Sequence, residues 1–152
     1  MNSQHKGFTL IELMIVVLVM SLVLGLSIPT YRNYSLRAGR ADASNALLRI
    51  AAAQERFYLA QGQYATSAAE LTAAPPNGLG FTGAKSERGY YDLTVAVGPS
   101  GQAAVDYQAT ATVDTGSNQK DDSDCTSLSV DQSGRRGANG GYVAATVENC
   151  WR

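Results

Sequence analysis

Histidine is all but absent from this chain, and its scarcity removes the commonest routes to catalysis. The single imidazole is His5. It lies ahead of every segment with a fold-forming pattern, so a Ser-His triad, a histidine general base and a histidine-ligated zinc site have nothing to draw on in the body of the protein. Cysteine is confined to Cys125 and Cys150, and without Cys-x-x-Cys spacing neither a thioredoxin-like motif nor a zinc ribbon can be built. An excess of charge is lacking too: 12 basic and 13 acidic side chains leave a net −1. Bulk electrostatics therefore give no reason to invoke nucleic acid or anionic lipid, and any such binding has to be local. No Gly-rich phosphate loop, framed pair of catalytic carboxylates or nucleophile beside a base is present. These absences disfavour an enzyme, and no cofactor or resident metal is expected.

What the chain does have is a long apolar run. From Phe8 to Ile28 the only ionisable side chain is Glu12. At about 1.5 Å per helical residue the run can cross the roughly 30 Å hydrocarbon core of a bilayer. An acid at that depth costs on the order of 2.5 to 3.5 kcal/mol, so Glu12 requires a partner. A cut between Gly7 and Phe8 would supply one, because the new α-amino group would be a cation near Glu12, and the helix dipole favours an anion in the first turns. An ordinary secretory signal would instead need a small-residue cleavage site after the apolar segment, and Gly25-Leu26-Ser27 is a poor one.

A short basic leader ending in Gly7, then Phe8-Thr9-Leu10-Ile11-Glu12 and an apolar helix, resembles the type IV prepilins. The likeness continues through Ala52-Ala53-Gln54-Glu55-Arg56-Phe57-Tyr58, Gly62-Gln63-Tyr64, Gly89-Tyr90-Tyr91, Leu128-Ser129-Val130-Asp131-Gln132-Ser133-Gly134 and Cys150-Trp151, where the chain is similar to PilE-type minor pilins of type IVa pili. The resemblance implies a leader at 1–7 removed by a membrane-embedded prepilin peptidase. Phe8 would then be the N-methylated first residue and Glu12 the assembly glutamate. It further implies a membrane-spanning and filament-core helix at 8–31, and a periplasmic globular head at 32–152. The prepilin would sit in the inner membrane, engage the pilus assembly platform and join other pilin subunits in an extracellular fimbrium. Cys125 and Cys150 would bound the family's disulfide-closed surface region.

The residues themselves read the two cysteines in the same direction. An even pair in an exported body favours one disulfide, worth about 3.5 kcal/mol for a loop of about 25 residues, against the alternative of two buried thiols in a cytoplasmic protein. One count opposes export: Arg32, Arg37 and Arg40 after the span outnumber Lys6 before it, the reverse of the positive-inside bias.

Past Pro29 the apolar pattern becomes one-sided. Ala43, Ala46, Leu47, Ile50, Ala53 and Phe57 share a helical face, opposite Asp42, Asn45, Arg49 and Arg56. One helix from about Thr9 to about Leu59, ended by Gly62, accounts for both halves. Gly25 and Pro29 should kink or loosen it, since proline has no amide hydrogen to reach the carbonyl of Gly25. Ser67 with Glu70 predicts a capped short helix through Leu71. Two strands follow, with Tyr91, Leu93, Val95 and Val97 inward on the first and Val105, Tyr107, Ala109, Ala111 and Val113 inward on the second. A third strand is expected around 126–130 with Leu128 and Val130 inward, and a last short one near 142–147. The expected fold is α+β: a long N-terminal helix packed on an antiparallel sheet, with a disulfide-bounded C-terminal loop.

Two local clusters remain. Asp121, Asp122 and Asp124, with Asp131, could gather calcium, but they lack the glycine and terminal glutamate of an EF-hand loop and read as a solvated acidic loop. Arg135 and Arg136 in a Gly-rich turn could contact DNA phosphates, against the plainer alternative of a solvated turn. The reading is a structural subunit of a type IV pilus, a minor pilin. The alternatives are a type II secretion pseudopilin, or a minor pilin acting as DNA-uptake receptor or adhesin.

Overall fold

The computed structural model describes residues 7–152, with 26–30 described by backbone alone. His5, Lys6 and the rest of the leader before Gly7 lie outside the described residues. The chain divides into two compact units at Ser35/Leu36.

Helix α1 is Leu10–Gln61 and runs unbroken past Gly25 and Pro29. It stops at Gly62, whose positive φ of 70° suits glycine and whose N–H returns to the carbonyl of Tyr58 at 2.8 Å. In the first unit its apolar side chains are bare: Leu10 is 78% exposed and Leu18 67%. Among the described residues no helix is long and apolar enough to cross a membrane. The apolar run of the sequence continues to Ile28, into the stretch without described side chains.

In the second unit α1 buries the predicted stripe of Ala43, Ala46, Leu47, Ile50, Ala53 and Phe57. This stripe shares a core with an antiparallel sheet of four strands in the order β1 (Tyr91–Val97), β2 (Tyr107–Val113), β3 (Ser127–Asp131) and β4 (Arg136–Ala138). Leu93 pairs with Ala111, Val95 with Ala109, Ala111 with Leu128 and Ala109 with Val130, so large and small residues alternate across the buried face. Helix α2 (Ala68–Thr72) begins at Ser67, whose hydroxyl and the Glu70 carboxylate form the predicted capping box.

Four expectations are corrected. Val97, expected inward, is 37% exposed, because it is the last residue of β1, where the chain leaves the core for the turn at Gly98. Val105 is exposed, because β2 begins only at Tyr107 and Val105 sits in the turn, its N–H donating to the carbonyl of Gln102. The strand expected near 142–147 is instead helix α3 (Ala144–Cys150), which places Val147, Cys150 and Trp151 on one face against the core at helical spacing. Asp42, assigned to the solvent side, is 7% exposed, its carboxylate accepting from the backbone N–H of Arg88.

Candidate functional site

At the N-terminal end, α1 opens with a reciprocal cap. The amide of Glu12 donates to the Thr9 hydroxyl at 3.3 Å, and the amide of Thr9 donates to the Glu12 carboxylate at 3.5 Å. This is a Thr-x-x-Glu capping box, legible in the sequence by the same rule that identified Ser67 and Glu70. In the isolated chain the carboxylate therefore has a local role, satisfying an amide that the helix leaves unbonded. Gly7 and Phe8 precede the helix and are exposed, Phe8 by 84%.

At the other end Cys125 and Cys150 are joined, with a Cα separation of 5.5 Å. The bridge ties the start of β3 to the end of α3. Arg135 and Arg136 lie between the two cysteines, both exposed, and β4 begins at Arg136. Arg136 pairs with Val130 and Ala138 with Leu128, so these residues belong to the core-facing side of the sheet. There the Arg136 guanidinium lies 4.8 Å from the centre of the Trp151 ring, whose indole N–H donates to the carbonyl of Gly137 at 2.9 Å.

Gly137 faces the other way. A Cβ there would meet the Ser129 hydroxyl and, at 3.2 Å, the ring of Tyr142. Arg135 lies over that same ring, 3.8 Å from its centre, and the Tyr142 hydroxyl accepts from the Gln108 amide at 3.1 Å. The pair adjacent in sequence is thus split into two arginine–aromatic stacks on opposite sides of an edge strand. Each stack is worth about 0.5 to 1 kcal/mol at an exposed site and holds a cation where solvent and ligands can reach it. Tyr142 and Trp151, which orient the arginines, were not singled out as partners by sequence reasoning. The signal available was an aromatic within a few residues of the terminal cysteine.

The acidic cluster is not one solvated loop. Asp122 is 2% exposed and takes a bidentate pair from Arg40, with Nε and Nη2 each at 2.7 Å from its oxygens. The Gln119 amide donates to the same carboxylate at 2.8 Å and to the Leu36 carbonyl at 3.0 Å. Asp131 is occupied by its own turn, accepting from the amides of Ser133 and Arg135. Among the described residues no group of three or more candidate ligands converges on a metal position.

A capped N-terminal helix that continues into an amphipathic half, an antiparallel sheet and a disulfide closing the C-terminal quarter define the class of type IV pilins. The prokaryotic N-terminal methylation motif matches residues 2–28. Within that class the chain belongs to the family described as "Type IV minor pilin ComP, DNA uptake sequence receptor", whose profile matches residues 29–129.

Relatives include the type IV major pilin protein PilA of Myxococcus xanthus, 34% identical over 51% of this chain and 35% of that protein. The type IV major pilin protein PilE1 of Neisseria gonorrhoeae is 35% identical over 52% of this chain and 48% of its own length. The chain thus spans no more than about half of either relative. A solved type IV pilin from Shewanella oneidensis matches 72% of this chain and 98% of its own at 23% identity, with a TM-score of 0.45.

Proposed function

We propose that this chain is a minor pilus subunit that also receives DNA at the pilus surface. The observation that carries this reading is the match of residues 29–129 to a family described as a DNA-uptake receptor. The two exposed arginines beyond the matched segment add the cations that a phosphate contact needs on a body with no net positive charge. The family match favours the pilus over the secretion alternative, and the role is one of assembly and binding rather than catalysis.

In this reading the precursor is held in the inner membrane by 8–31, with the 32–152 body on the periplasmic side. Prepilin peptidase cuts between Gly7 and Phe8, the assembly platform adds the subunit to a filament of other pilins, and Glu12 then exchanges its cap on Thr9 for the methylated α-amine of a neighbour. Removing one partner of such a buried charge pair costs about 3 to 5 kcal/mol, which would penalise a misregistered subunit. Gly25 and Pro29 mark where α1 is weakest and would loosen on packing.

The test of the DNA role is binding of the full chain, in detergent micelles, to duplex DNA across a salt series. Changing Arg135→Ala and Arg136→Ala together should weaken binding and lower the salt slope by up to about two phosphate contacts. Equal affinity and slope for parent and variant would remove the arginines from the DNA role. Mass spectrometry of protein from the native host should find methylated Phe8 at the N-terminus; an intact Met1 would overturn the processing step.

A further inference from the structure

The Cys125–Cys150 bridge is not the only tie between the two ends of its loop. Arg40, on α1, is 6% exposed and uses three donors at once. Nε and Nη2 bind Asp122, three residues before Cys125, while Nη1 donates to the carbonyl of Asn149, immediately before Cys150, at 3.1 Å. One side chain therefore grips the chain just upstream of each cysteine.

The grip is itself built in. The Gln119 amide donates to the same Asp122 oxygen that accepts from Arg40 Nε, and Gly39 makes room for it, since a Cβ on Gly39 would overlap the Gln119 side-chain amide. The hydrogen bond to Asp122 outweighs the cost of burial and holds the Arg40 guanidinium above its ordinary value, so the donor side of the grip keeps its charge.

We propose that Arg40 is a positioning residue for disulfide formation: a non-covalent clasp that holds Cys125 and Cys150 together in the reduced chain and so presents this pilin as a prepared substrate to a thiol–disulfide oxidant. The proposal is independent of the DNA role. In the reaction one cysteine thiolate attacks the oxidant's disulfide, giving a mixed disulfide and releasing one thiol of the oxidant. The second cysteine thiolate then attacks the mixed disulfide, forming Cys125–Cys150 and releasing the other. Two protein thiols are oxidised, one external disulfide is reduced, and the two protons end on the released thiols.

An unclasped loop with cysteines 25 residues apart must meet the entropy of closure during this second attack. A clasped loop has met it on folding. Because the coupling is reciprocal, the formed disulfide in turn stabilises the buried Arg40–Asp122 pair.

The test equilibrates the full chain in detergent micelles with mixtures of oxidised and reduced glutathione. Alkylation and mass spectrometry give the oxidised fraction, and fluorescence of Trp151, the single tryptophan, reports the fold beside Cys150. Arg40→Met should lower the oxidised-to-reduced ratio at a fixed buffer by at least about tenfold, the scale of losing a charged hydrogen-bond clasp, while α1 keeps its helical circular dichroism. Because that variant leaves Asp122 buried and unpaired, Arg40→Met with Asp122→Leu removes the clasp without an orphan charge and should show the same loss.

The parent with Cys125→Ser and Cys150→Ser should still protect the amides of 118–122 and 144–150 from hydrogen exchange. A ratio unchanged in either folded variant, or loss of that protection in the serine form, would overturn the proposal.

Discussion

Gln54 shows how much one side chain can determine in this protein. It is fully buried, its Nε2 donating to the carbonyl of Ala65 at 2.7 Å and its Oε1 accepting from the amide of Ala65 at 2.8 Å. The side chain thus pairs with the backbone just beyond α1 as a neighbouring strand would. Gln54→Leu leaves both groups of Ala65 buried and unbonded, so the full chain should lose about 1 to 3 kcal/mol per group. Urea unfolding should show this as a lower midpoint with an unchanged slope, and an unchanged midpoint would mean that Ala65 finds other partners. Apolar positions on α1 were legible in the sequence because periodicity alone assigns them. The buried polar residues Arg40, Asp42 and Gln54 were not, since Asp122, Arg88 and Ala65 become their neighbours only after folding. Asp42 in particular breaks the rule that charge lies outside, and nothing local to it signals the backbone amide it accepts from.

Among the elements, β1 and β2 carry a property testable with base. Tyr91 and Tyr107 are buried at the starts of these strands, and burial, the main cause, pushes both phenols well above the ordinary value of 10.0. With folded values raised above unfolded ones, the neutral phenols contribute stability that is fully present below pH 10.0 and is lost as pH rises from there toward the folded values. Ultraviolet titration should find these two tyrosines silent through the ordinary phenol range, then titrating together with loss of the fold. Independent titration without unfolding would contradict the burial. The first three strands were readable from alternation over five to seven residues. Strand β4, at three residues, is too short for any period to register. Residues 142–147 show no clear period of two, and Val147, Cys150 and Trp151, at helical spacing, are the side chains that reach the core.

For the whole molecule, the first unit displays apolar side chains and the second encloses its own, a division already present in the change from continuous to one-sided hydrophobicity near Pro29. The second unit's core is modest and rich in alanine, so the covalent cross-link matters to it. Replacing Cys125 and Cys150 by serine should lower stability by about 3.5 kcal/mol, the loop-entropy value for a closure of this length. Calorimetry or denaturant unfolding of parent and variant would give the difference, and its absence would mean that the unfolded chain is already constrained.

The two edges of the sheet carry one more consequence. Outside β1, the amide of Leu93 donates to the carbonyl of Ala84 at 2.7 Å and the amide of Ser86 to the carbonyl of Tyr91 at 2.9 Å, so that edge is already occupied. The opposite edge is the three-residue β4, which opens on Arg136 directly after Arg135, each guanidinium stacked on an aromatic ring. Short length and flanking charge are the features that keep open sheets from templating one another. In a chain of a filament-forming family, these features disfavour growth by strand addition, the route that leads to amyloid.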